Sequence, residues 1–111
     1  MSRTVSISGY TVFVAACSQG FNEWRANIII ITSDPATSCD LRFVDDVGPL
    51  QAIENVKETG VSQVYLPFTQ FSGFLEYLQT EKPLSLVLYG TAKRVLVQTG
   101  LEPPGERELS S

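Results

Sequence analysis

Hydrophobic and polar positions alternate with a two-residue period along most of this chain and follow a helical period in one place. Phe71, Phe74, Leu75 and Leu78 fall at i, i+3, i+4 and i+7, which puts all four on one face of a helix. That spacing predicts a helix over residues 69–81. Thr69 is the predicted N-cap, its hydroxyl accepting from an unpaired first-turn N–H. Lys82-Pro83 stops the helix, because the residue before a proline is disfavoured in the helical region and Pro83 has no donor. Extended segments, Val61–Leu66 and Leu84–Tyr89, flank it, so one helix must cover a sheet.

Upstream, Thr4–Cys17 reads as a long strand. Val5 and Ile7 alternate with polar residues, and after Gly9 both faces turn apolar, with Tyr10, Val12, Val14 and Ala16 on one and Phe13, Ala15 and Cys17 on the other. Gly9 is the expected site of a bulge or bend. Ser18–Asn22 is a turn, and Glu23–Ser33 is a second strand in which Ile28 and Ile30 point one way, Ile29 and Ile31 the other. Four consecutive isoleucines at a sheet edge invite aggregation, which places this strand centrally. After the Asp34–Ser38 turn, Cys39, Leu41 and Phe43 point inward and Asp40 and Arg42 outward, the pattern of a half-exposed antiparallel strand. Residues 50–57 fit a strand that a Glu58–Gly60 hairpin joins to Val61–Leu66; a short helix through Leu50, Ile53 and Val56 is the alternative. A last hairpin pairs Leu84–Tyr89 with Arg94–Thr99, Gly90 supplying the turn. The fold class predicted is α+β: a strongly bent antiparallel sheet of about six or seven strands packed on one main helix. Residues 1–100 form the single domain. Residues 101–111 are proline-rich and acidic and are expected to be a disordered or loosely attached tail.

Charge narrows the functional classes. Eight Lys/Arg against twelve Asp/Glu give net −4, and residues 1–101 alone still hold seven against nine. Binding to polyanions draws much of its affinity from neutralised phosphates, so nucleic acid is disfavoured as a partner. No window approaches the roughly 18 apolar residues of a membrane span, and the N-terminus lacks the apolar core of a signal peptide, so the expectation is a cytoplasmic protein without membrane partners. Two cysteines, Cys17 and Cys39, outside any CxxC, then read as reduced, buried thiols.

Catalytic inventory is thin. The chain has no histidine, which removes imidazole bases and Ser-His or Cys-His pairs. Two cysteines cannot complete a structural zinc site, and the glycines show neither dinucleotide nor P-loop spacing, so no metal and no cofactor is expected. Asp45 and Asp46 belong to a loop, while Asp34 and Asp40 flank one turn and offer only a weak cation site. Lys93-Arg94 is the only adjacent basic pair; beside Tyr89 it forms a candidate nucleic-acid or anion contact, with Tyr10, Trp24 and Tyr65 as further stacking platforms. Val12, Val14, Ile29 and Ile31 are the candidate interface, because a sheet apolar on both faces needs a second cover besides the helix.

The strand-to-helix junction Val64-Tyr-Leu-Pro-Phe-Thr-Gln-Phe71 resembles the sheet-plus-helix unit of the Whirly and positive-cofactor-four single-stranded-DNA-binding regulators. That resemblance implies dimerisation and binding of single strands across the sheet. This chain departs from the pattern in lacking a basic sheet surface or lysine-rich arm and in adding a hairpin after the helix, so no binding residue is carried over. The function expected is that of a non-enzymatic interaction or accessory protein, a homodimer or one bound to another protein through an apolar sheet face. A single-stranded nucleic-acid-binding regulator is the alternative, with a small-ligand-binding module third.

Overall fold

The computed structural model describes residues 2–15 and 24–99. Strands β1 (Arg3–Val14), β2 (Ala26–Thr32), β3 (Ser38–Val44), β4 (Val61–Pro67), β5 (Leu84–Tyr89) and β6 (Arg94–Thr99) form one sheet in the order β4-β3-β2-β1-β5-β6, and helix α1 spans Phe71–Thr80. The chain is therefore α+β, with six strands among the described residues. The Ser18–Asn22 turn, Cys17 and the tail lie outside them.

The sheet curls because β1 serves two neighbours. Its first residues, Arg3–Ser6, pair with β5, and Ile7–Val14 pair with β2, with a register shift between Ile7 and Gly9 where the sequence places a bulge. A bulge bends its strand and adds twist. The bend turns the two halves toward each other, so that Val5, Ile28, Ile30, Leu41, Phe43, Leu86 and Leu88 share one core. Helix α1 closes that core with Leu78, fully buried, while Phe71, Phe74, Leu75 and Tyr77 pack around it. The Phe43 ring meets Phe71 edge-on at 5.2 Å between centroids and Phe74 at 6.1 Å.

Thr69 does not cap the helix. A capping side chain works from an extended residue, and the last extended residue is Pro67; from Phe68 the chain already turns as a 3-10 helix over Phe68–Gln70, leaving Gln70 as N-cap without a side-chain bond. The entry is held instead by Phe68, which stacks on Phe71 at 5.8 Å and carries the Arg25 guanidinium 5.1 Å above its ring.

The sheet is mixed rather than antiparallel, because β3 and β4 run parallel. Residues 45–60 supply the crossover a parallel pair requires. Within them Gly48–Ile53 is a 3-10 helix opened by Pro49, not a strand, and of the expected hairpin only one bridge remains, Asn55 to Gln63. Side chains complete the pairing: the Glu54 carboxylate accepts the Tyr65 N–H at 2.9 Å, and the Ser62 hydroxyl accepts the Lys57 N–H at 2.8 Å.

The β5–β6 turn differs in its conformational demand. Lys93, not Gly90, takes the left-handed conformation, at φ 53°. A side chain there costs about 1–2 kcal/mol, against which glycine's greater chain entropy offsets ~0.5–1 kcal/mol. Lys93→Gly is expected to stabilise the fold by about 0.5 kcal/mol, a melting-temperature rise of ~2–4 °C; a fall in thermal denaturation would contradict this.

Candidate binding surfaces

With α1 on the inner face, the outer face of β1–β4 is set by strand register. Ile31 pairs with Gly9 and Ser38, Ile29 with Thr11 and Asp40, and Asn27 with Phe13 and Arg42. Gly9, Thr11 and Ser38 are short, so the isoleucines stand above their neighbours. Phe13 is 46% exposed, Ile31 45% and Val61, in the row of Ile31, 61%. Phe13 is thus a surface residue.

The four candidate interface residues do not share a face. Val12 pairs with Ile28 and packs against the core, and Val14 pairs with buried Ala26, whereas Ile29 and Ile31 look outward. The reason is the bulge: one extra residue at Ser8–Gly9 moves Tyr10, Val12 and Val14 onto the side that already holds Ile7. Beside the apolar stripe lies a neutral polar network. Asp40 accepts from Asn27 Nδ2 and from Arg42 Nε, the latter at 3.2 Å, and Gln63 donates to the Tyr65 hydroxyl. Toward Val44 the face runs into a hollow of about 310 Å³ lined by Trp24, Pro49 and Leu50.

Tyr89, Lys93 and Arg94 lie together at the β5–β6 turn. Tyr89 and Arg94 are cross-strand partners at the turn that Lys93 closes, and with Ala92 and the exposed Leu96 they border a hollow of about 340 Å³. The further stacking platforms do not join them: Tyr10 faces the core and Tyr65 is buried on the outer face of β4.

The candidate carboxylates separate into individual structural roles. Asp45 pairs with Arg25 at 3.2 Å, and Asp46 accepts the Gly48 N–H. Asp34 and Asp40 do not converge; Asp40 belongs to the network above. Asp34 accepts from the Ala36 N–H and the Thr37 hydroxyl and pairs with Arg3 at 2.8 Å, and these contacts, the backbone bond first, hold its pKa down at about 2. The same Arg3 guanidinium donates to Thr37 Oγ1, Glu58 O and Thr59 Oγ1 at 2.9, 2.9 and 3.0 Å. This clasp joins β1 to two distant turns. Its only sequence signal was a lone arginine near the start of a strand. Cys39 is buried and free, and burial, with Asp40 adjacent, pushes its thiol up to about 12, as suits an inert packing residue.

Two concavities were not foreseen. One of about 590 Å³ lies at the β1 bulge between Ile7, Tyr10, Leu78, Leu84 and Lys82. The other, about 260 Å³, runs between β4 and β6. Among the described residues no helix is long and apolar enough to cross a membrane. The chain matches no protein-family model, no curated protein and no solved structure.

Proposed function

We propose that this chain is a non-enzymatic interaction protein that self-associates through the outer face of β1–β4. The observation that carries the reading is the stripe of Phe13, Ile29, Ile31 and Val61 on the side of the sheet away from the helix. Asp40 and Arg42 beside it carry opposite charges two residues apart, so a two-fold axis through the face sets each charge near its opposite on the partner. Strand spacing and rise give the four-strand face roughly 400 Å² per protomer, about half of a standard partner's contribution of ~800 Å². The dimer is accordingly weak and concentration-dependent.

Sedimentation velocity over a concentration series tests it. The wild type is expected to shift from monomer toward dimer as concentration rises, and Ile31→Glu to weaken dimerisation at least about tenfold, equivalent to ~1.4 kcal/mol. Val12→Glu is the wrong probe, since that side chain packs against the core. A wild type that stays monomeric, or an Ile31→Glu variant that dimerises equally well, removes the proposal. The single-stranded nucleic-acid reading draws support from the Tyr89–Arg94 pair and the adjacent Lys93 alone. It requires salt-sensitive binding of a short oligothymidylate that Lys93→Ala with Arg94→Ala abolishes.

A further inference from the structure

The two edges of the sheet are treated differently. On β4, the outermost strand at one end, residues 54–57 return alongside: Asn55 exchanges N–H and C=O bonds with Gln63 at 2.9 and 2.6 Å, and Glu54 takes the Tyr65 N–H. On β6, at the other end, only one edge is paired, to β5. Along its second edge, Val95–Gln98 meet no strand among the described residues. Beyond Arg94 the strand has no proline and no charged residue, and Leu96 on its outer face is 51% exposed.

That free edge borders the concavity of about 260 Å³, where Val95 and Val97 stand opposite Val64 and Leu66 over a floor that includes Leu41 and Phe74. The volume falls below the ~300–1,000 Å³ of sites for drug-sized molecules, so it suits one or two side chains of a longer ligand. Two cations, Lys93 and Arg94, stand on the β6 wall at its start, while the acid on the opposite wall, Glu54, is engaged with the Tyr65 N–H. A free strand edge, a shallow apolar trough beside it and a positive end are the requirements for main-chain recognition with alternate side chains read in a pocket.

We propose that β6 is a strand-addition site for an extended segment of another protein, with apolar residues at alternate positions and an acidic residue at the Lys93–Arg94 end. The partner strand continues the sheet beyond β6, drops its inward side chains between Val95, Val97 and Phe74, and places its carboxylate beside the basic pair. This surface is separate from the outer face of β1–β4, so the two proposals stand or fall independently.

The test uses two synthetic peptides, Glu-Thr-Val-Thr-Val-Thr-Val-Glu and its counterpart with lysine at both ends. An acid at each end serves either strand direction. The wild-type chain is expected to bind the glutamate peptide about fivefold or more tighter than the lysine peptide, since each rim charge pair is worth up to ~1 kcal/mol. Lys93→Glu with Arg94→Glu should reverse that preference; both side chains are exposed at a turn, and an unchanged amide spectrum verifies the fold. Replacing the central valine of the glutamate peptide by proline should abolish binding by interrupting the ladder. Amide hydrogen exchange should slow along Val95–Gln98 when the peptide binds. Absent binding, equal affinity for both peptides, or slowing confined to β2 would overturn the proposal. Concentration-dependent slowing at β6 without peptide would assign the edge to a second copy and overturn it equally.

Discussion

Phe43→Ala should destabilise this fold by about 3–5 kcal/mol, the usual range for a large buried aromatic truncated to alanine. Phe43 has no exposed surface, and its ring is the one that both Phe71 and Phe74 of α1 meet. Removing it opens a cavity beneath the helix and also forfeits two aromatic contacts, each worth ~0.5–1.5 kcal/mol beyond area burial. Domains of this size hold about 5–15 kcal/mol in total, so the variant sits close to unfolding at ordinary temperature. Denaturant titration by circular dichroism measures the loss directly. A decrease under about 1 kcal/mol would mean that α1 does not depend on this contact, against the range for such truncations.

Arg3→Met should cost about 2 kcal/mol, on the scale of hydrogen bonds to charged groups, reduced because the guanidinium is roughly one-third exposed. Methionine preserves the stem and removes the fork, so the loss isolates the polar clasp. The Thr37 hydroxyl is left in a buried position and the Glu58 carbonyl loses its donor. Arg3→Lys should recover less than half, because one ammonium cannot reach acceptors in two separate turns together with Asp34. Full recovery by lysine would show that charge alone matters there.

The clasp also gives stability an acid dependence of predictable sign. Asp34 has its folded pKa lowered from 3.8 to about 2, so its contribution is complete above pH ~4 and is lost as pH falls toward about 2. Asp34→Asn should be less stable than the wild type at neutral pH, and the difference should shrink across that acid window. A gap that stays constant from pH ~4 to ~2 would contradict the assignment.

Much of the architecture was legible in local pattern. The α1 face, the β5–β6 hairpin and the inward set Cys39, Leu41 and Phe43 follow from period alone, because each is an alternation between core and solvent within one element. The bulge was legible too, since a glycine stands where alternation changes phase. Its consequence was not. Which face Val12 joins depends on counting across the bulge, and one residue of register exchanges the two faces, so Val12 and Ile29 could not be assigned a common surface before their partners were known. Residues 50–57 failed for a different reason: spacing compatible with strand or helix is resolved by neighbours, and here Pro49 and the parallel β4 resolve it as a 3-10 turn followed by one bridge.

The candidate site divides along the same line. Tyr89, Lys93 and Arg94 are near one another in sequence and remain so across the hairpin. The trough beside them borrows Leu41, Val64 and Phe74 from elements far along the chain, and the Arg3 clasp joins residues 31, 55 and 56 positions apart or more. Sequence by itself determined the buried face of α1, the β5–β6 hairpin and the inward alternation of β3, because those depend on residue type and on spacing within one element. Tertiary structure alone decided that β4 runs parallel to β3, that residues 54–57 return along β4 while Val95–Gln98 meet no further strand among the described residues, and that an apolar stripe faces outward. Those are matters of pairing between segments distant in the chain, and backbone hydrogen bonding, common to every residue, carries no label that names its partner.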